Sequence, residues 1–136
     1  MADNYLHSDM TSKIIKSFYT VYNVLGYRFL EKVYEDALLI EPRKAGISCQ
    51  KQWAVDVYYD EEKVGYYVAD SIADNHVIIE IKAAESLCPE HEAQLVNYLK
   101  ATSIEVGLLL NFGKTPQCKR KVFSREYKKL NLSSPS

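Results

Sequence analysis

The hydrophobic period of this chain first changes at Gly46, and that change settles most of what the chain can fold into. Before it, apolar residues recur at helical spacing: Ile14, Ile15, Phe18, Val21, Tyr22 and Leu25, then Leu30, Val33, Tyr34, Ala37 and Leu38. Thr11 or Ser12 can cap the first helix and Gly26 can end it. The second starts near Phe29, and Pro42 inside its pattern should kink or shorten it. After Gly46, residues 47–58, 64–73 and 77–83 follow the period of two that marks strands, with a charged turn from Tyr59 to Lys63. Residues 89–102 read as a helix with Pro near its first position. Residues 104–111 form an apolar strand buried on both faces. A Gly/Pro loop runs from Asn111 to Gln117, and Arg120 to Ser124 make a last short strand. The order is α-α-β-β-β-α-β-(β), an α/β domain with a mixed sheet flanked by helices. The helical crossover should make the fourth strand parallel to a neighbour.

A chain of 136 residues leaves room for one domain with a real core. Residues 1–9 read as a flexible leader, 10–127 as the single domain and 128–136 as a basic, polar tail. At 47% hydrophobic and 26% charged, the composition excludes wholesale disorder and a disulfide mini-scaffold. The net charge of −1 does not advertise a nucleic-acid binder. The C-terminal stretch does carry a local basic excess: Lys114, Lys119, Arg120, Lys121, Arg125, Lys128 and Lys129 against Glu126. Such a run is either a solvated face or a footprint for a phosphate backbone. Cys49, Cys88 and Cys118 form no C-x-x-C pair, so reduced thiols in a cytoplasmic protein are expected. No signal peptide or membrane-spanning run is visible.

Glu80-Ile81-Lys82 carries the chemical argument. Residues two apart in a strand share a face, so Glu80 and Lys82 project together with Ile78, while Val77, Ile79 and Ile81 point into apolar packing. A carboxylate and an amine inside a core-like strand carry a desolvation cost that calls for a partner or a metal. The plain alternative is a surface Glu–Lys pair.

Asp70, on the preceding strand, bears on that choice. A two-residue turn at Asp74-Asn75 would put Asp70 and Glu80 on opposite faces. A three-residue loop, Asp74-Asn75-His76, pairs 70 with 80 and sets the carboxylates side by side. Asp74 competes for the acidic role, although an Asp at a loop tip is more often turn chemistry. Two carboxylates at close range repel unless a cation lies between them. All-oxygen ligation suits Mg²⁺ or Mn²⁺, which can activate water and stabilise charge on a phosphoryl group, with Lys82 beside it to orient or deprotonate that water.

Asp70-x9-Glu80-x-Lys82 on a hairpin, followed by a helix carrying Gln94 and Tyr98, resembles the PD-(D/E)XK nuclease superfamily, and the Gln-x-x-x-Tyr element resembles its RecB-like branch. Residues 25–34 (LGYRFLEKVY), 68–70 (VAD), 77–83 (VIIEIKA), 91–102 (HEAQLVNYLKAT) and 106–113 (VGLLLNFG) resemble the bacterial GxxExxY proteins. The resemblance implies a restriction-endonuclease-like core. It makes Asp70 and Glu80 metal ligands, Lys82 the catalytic lysine, the Ile81 carbonyl an extra ligand, and Gln94 and Tyr98 lining residues. Glu31 matches the signature glutamate, a candidate further ligand, and Tyr34 the signature tyrosine. Arg28 stands where the signature has glycine; it would narrow the loop before the second helix or contact a phosphate.

Plainer readings stand beside these. Glu31 can be a solvated helix residue, Tyr34 a packing residue with a hydroxyl handle, and His91 a helix-surface residue rather than an accessory hydrogen-bonding or phosphate group. Glu90 and Glu92 complement their helix dipole, and His7 and His76 are expected in solvent. The leading expectation is a divalent-metal-dependent nuclease acting on DNA more readily than RNA, with a homodimer as one arrangement. The competing one is a non-catalytic nuclease-like module that binds nucleic acid or a partner protein.

Overall fold

The computed structural model describes residues 6–124. Arg125 and the whole of the expected basic tail at 128–136, with Lys128 and Lys129, lie outside the described residues. The elements are α1 (Ser8–Leu25), α2 (Glu31–Lys44), β1 (Cys49–Tyr59), β2 (Glu62–Ala73), β3 (Val77–Lys82), α3 (Pro89–Ala101), β4 (Val106–Phe112) and β5 (Pro116–Val122). They form one five-stranded sheet in the order β1-β2-β3-β4-β5. β3 and β4, joined through α3, are parallel, and the other neighbours are antiparallel.

Alternation along β3 builds two cores. Val77, Ile79 and Ile81 join Ile14, Phe18, Tyr34 and Leu38 beneath α1 and α2. Ile78 joins Leu95, Tyr98 and Leu99 of α3 on the opposite face. β4 is buried throughout, because helices cover both its faces. Gly107 lets α3 sit close: a Cβ there would lie 2.6 Å from Leu95 Cδ1.

Several boundaries differ from the sequence reading, each for a packing reason. α1 begins at Ser8 behind His7, not at Thr11, because Leu6 and Met10 pack on the core and draw the helix start upstream. Thr11 is buried in the first turn, its hydroxyl donating to the Ser8 carbonyl. α2 begins two residues after Phe29, since the Phe29 N–H is taken by the Tyr34 hydroxyl. Pro42 does not end α2; it lies in the last turn, where its carbonyl accepts the N–H groups of Ala45 and Ile47. β5 starts at Pro116 rather than Arg120, because Phe112 already pairs with Pro116. His7 does not stand in solvent: it is half-buried and stacks on His76, centroids 4.7 Å apart.

The largest departure is in β1 and β2. Cys49 and Ala73 pack beneath α1 and α2, and Lys51 reaches Asp36 on α2 at 2.6 Å. Trp53, Val55 and Ala69, also odd-numbered, pack instead beneath α3. Both strands therefore turn over at the level of Gln52 and Asp70. Gln52 has φ 60°, and the Gln52–Asp70 pair drops out of a ladder whose register is the same on either side. Uniform alternation through 64–73, as read from sequence, fails at Asp70.

Candidate active site

The loop between β2 and β3 has three residues, because Ala73 pairs with Val77. Asp74 and Asn75 both have positive φ (46° and 59°), and the His76 N–H donates to the Ala73 carbonyl. Asp74 serves the turn: its Oδ1 accepts the Ser48 N–H at 3.0 Å. This register sets Asp70 opposite Glu80, yet the backbone ladder ends one pair earlier, at Ser71–Ile79.

Side chains complete what the ladder leaves open. Glu80 Oε2 accepts the Asp70 N–H at 2.7 Å, and Asp70 Oδ2 accepts the Ile81 N–H at 2.7 Å. The turnover at Gln52 releases the Asp70 backbone from β1, and the end of the β2–β3 ladder releases it from β3. Each carboxylate thus holds the backbone next to the other.

The electrostatics follow from burial. Glu80 is 4% exposed; burial first, and the Asp70 carboxylate second, push its carboxyl up to about 8. Burial also raises Asp70, against the Ile81 amide and Lys82, which lower it. Lys82, half-buried at the end of β3, draws down both carboxyls without forming an ion pair among the described residues.

Two glutamates of α2 complete the acidic rim. Glu31 Oε2 accepts the Ala83 N–H at 3.3 Å, and its charge raises Asp70. Glu35, which sequence reasoning did not single out, lies within electrostatic reach of the carboxylate pair. Burial raises its carboxyl first and Asp70 second, and its own charge in turn raises Glu80. A signal for it exists: Glu35 follows Glu31 by four residues, on the same helix face.

Tyr34, the signature tyrosine, is fully buried and stacks on Phe112 with centroids 4.0 Å apart. Its hydroxyl donates to the Gly26 carbonyl at 2.8 Å and accepts the Phe29 N–H at 3.1 Å, fixing the loop that presents Glu31. Arg28, within that loop, has φ 89°, a conformation that favours glycine, and its guanidinium lies over the Tyr27 ring.

From α3, the Gln94 amide donates to the Tyr98 hydroxyl at 2.8 Å. Burial, then the charges of Glu80 and Asp70, push the Tyr98 hydroxyl up to about 12, so the pair borders the acidic centre. Leu95 and Leu99 face the core, as the helical period requires. His91 plays a structural part, its Nδ1 accepting the Cys88 N–H at 3.3 Å in the first turn of α3. Asn111, within the VGLLLNFG stretch, is a clamp that the sequence alone does not reveal. Fully buried, it accepts the Ala84 N–H and donates to the Ala84 carbonyl, securing the chain just beyond Lys82. Of the basic C-terminal stretch, Lys121 pairs with Glu92 at 2.6 Å and Arg120 donates to the Leu6 carbonyl.

The donors around Asp70 and Glu80 are all oxygen, which fits a hard divalent cation. Among the described residues, no three His, Cys, Asp or Glu side chains converge as a closed metal cage. Mg²⁺ is commonly held by one or two carboxylates with water and substrate phosphate, so two carboxylates suffice. The raised Glu80 carboxyl fits the same view, since a buried carboxyl facing another is short of positive charge.

This fold and this site define a class. The chain belongs to the PD-(D/E)XK nuclease superfamily, whose family model matches residues 8–123. Its mixed sheet between helices is the restriction-endonuclease-like fold. The crystal structure of SSO0001 is similar, with a TM-score of 0.53 and 20% identity, over 96% of this chain and 66% of that one. This chain thus spans just under two thirds of that protein's length, and the likeness shows the fold alone. No curated protein matches. Superfamily members generally use divalent metals. No helix among the described residues is long and apolar enough to cross a membrane.

Proposed function

We propose that this protein is a divalent-metal-dependent nuclease that hydrolyses nucleic-acid phosphodiesters, DNA in preference to RNA, in the cytoplasm. The observation that carries the reading is the reciprocal pair of bonds, Glu80 to the Asp70 amide and Asp70 to the Ile81 amide, with Lys82 next along the same strand. Asp70 and Glu80 would hold Mg²⁺ or Mn²⁺, with the Ile81 carbonyl as a further ligand and Glu31 at the rim. Glu35 would act on the site through its charge. Bound there, such an ion lowers the pKa of water and stabilises charge on a phosphoryl oxygen. Lys82 would orient the attacking water. Gln94 and Tyr98 would offer amide and hydroxyl donors to phosphate oxygens beside the scissile bond. The positive φ of Arg28, at the position of the signature glycine, supports the likeness to GxxExxY proteins in particular. Gln94 with Tyr98 supports the likeness to the RecB-like branch.

The test is cleavage of labelled DNA and RNA, single- and double-stranded, with Mg²⁺, Mn²⁺ or chelator. Wild type should cleave only with metal, and Lys82→Ala should lose at least about a hundredfold. Equal cleavage by both proteins would remove Lys82 from the mechanism. A second reading, a module that binds nucleic acid or a partner protein, singly or as a homodimer, without turnover, is favoured by the net charge of −1, which leaves a partner to supply part of the attraction to a polyanion. Metal-independent binding with no cleavage under any condition would establish it.

A further inference from the structure

Four of the eleven tyrosines, Tyr58, Tyr59, Tyr66 and Tyr67, stand on the outer half of the β1–β2 hairpin, each at least half exposed. Aromatic rings presented to water in such density serve no core. Two of them, Tyr58 and Tyr67, are 61% and 50% exposed and form one wall of a groove of about 860 Å³, with α3 as the other wall. The turnover at Gln52 and Asp70 sends the odd-numbered face of the outer hairpin toward α3, and Tyr67 with it.

The groove and the acidic centre share Tyr98 as a neighbour. Gln94 and Tyr98 line the groove, and Tyr98 is also the α3 residue that feels the charges of Glu80 and Asp70. The Tyr67 ring lies 5.9 Å from that of Tyr98, tilted by 45°, so the aromatic wall continues to the edge of the site. Its ionic lining is balanced, Glu90 against Lys100, so charge alone would not hold a polyanion here. Ring faces and side-chain amides would.

That combination suits one ligand class. Unstacked bases bind exposed aromatic rings regardless of sequence, whereas the bases of a duplex are already stacked and present only edges and phosphates. We infer that the groove between the β1–β2 hairpin and α3 is a single-strand channel, in which Tyr58 and Tyr67 stack unpaired bases and lead the strand toward Asp70 and Glu80. The inference rests on the nuclease reading for what happens at the end of the channel, but not for binding within it.

The test is equilibrium binding, in chelator so that no cleavage occurs. The probes are a labelled mixed-sequence DNA strand and the same strand annealed to its complement. Wild type should bind the single strand at least tenfold more tightly. Tyr58→Ala and Tyr67→Ala should each weaken it roughly five- to a hundredfold, while Tyr58→Phe and Tyr67→Phe, which keep the ring, should bind as wild type does. Few phosphates are neutralised, so affinity should fall only weakly with salt. Equal affinity for strand and duplex, or alanine variants that bind normally, would overturn the channel. So would a dimer in sedimentation that Tyr58→Ala abolishes, which would make the groove a contact between two copies. The two readings fail separately. Lys82-dependent cleavage with tyrosine-independent binding removes the channel alone. Tyrosine-dependent binding without metal-dependent cleavage removes the nuclease alone.

Discussion

Glu80 accepts the backbone N–H of Asp70 at 2.7 Å, where the next pair of the β2–β3 ladder would otherwise form. Two acidic side chains are thereby held face to face by hydrogen bonds to each other's strands. Without a cation, burial and the facing Asp70 carboxylate favour the form in which Glu80 keeps its proton.

That preference makes stability depend on pH. The Glu80 carboxyl titrates near 4.5 when unfolded and about 8 when folded. The folded state therefore retains a proton that the unfolded state releases, and Glu80's contribution is fully present below about 4.5 and lost as pH rises through about 8. Asp70 and Glu35, also raised, act in the same direction. Urea denaturation of metal-free protein should show falling stability across this window, Glu80 contributing at most about 1.4 kcal/mol per pH unit. Glu80→Gln should flatten the profile. A wild-type slope that survives in Glu80→Gln would place the titration elsewhere.

Divalent metal should reverse that loss. At a hundredfold excess over Kd, Mg²⁺ or Mn²⁺ bound only by the folded state adds about 2.7 kcal/mol. Thermal unfolding at neutral pH should show the gain in wild type and little in Glu80→Gln. Glu31→Gln and Glu35→Gln should give intermediate gains. If Glu31→Gln gains as much as wild type, its bond to the Ala83 amide is its role and it is no ligand.

Arg28→Gly should stabilise the fold. A non-glycine residue in the left-handed region costs roughly 1–2 kcal/mol, and glycine's extra chain entropy returns about 0.5–1. The expected net gain is about 0.5–1 kcal/mol by denaturant unfolding. If Arg28 also contacts a phosphate, the salt dependence of nucleic-acid binding should fall by about one unit of slope. No gain in stability would show that the Tyr27–Arg28 contact offsets the strain.

Tyr34→Phe keeps the ring on Phe112 but leaves the Gly26 carbonyl and the Phe29 N–H without their shared partner. The expected cost is about 1–3 kcal/mol. Activity should fall further than stability explains, because the loop leading to Glu31 is no longer fixed. Unchanged unfolding would mean that water satisfies both groups.

Gly107→Ala should cost about 1–3 kcal/mol, since its Cβ meets Leu95 at 2.6 Å. Trimming the neighbour, in Gly107→Ala with Leu95→Ala, should cost less than the sum of the single changes. Strict additivity would show that α3 shifts freely on the sheet.

What the sequence determined by itself was local. The period change at Gly46, the alternation of Val77, Ile79 and Ile81, and the crossover through Pro89–Ala101 are written in neighbouring residues, so element order and the parallel β3–β4 pair were readable. The shared face of Glu80 and Lys82 follows from the pleat of one strand. The length of the Asp74–His76 loop was left between two choices by the sequence, and pairing of Ala73 with Val77 decided it. Only the tertiary structure decided the turnover at Gln52 and Asp70, because it needs a positive φ in one strand and a missing ladder pair in the next. No window of sequence contains both. Glu35 comes within reach of the acidic pair because α2 packs beside the end of β3, where Glu31 holds the Ala83 amide, a relation between elements that periodicity cannot carry. His91 shows the converse: its type suggested chemistry, and its position at the start of α3 gave it a backbone amide to hold.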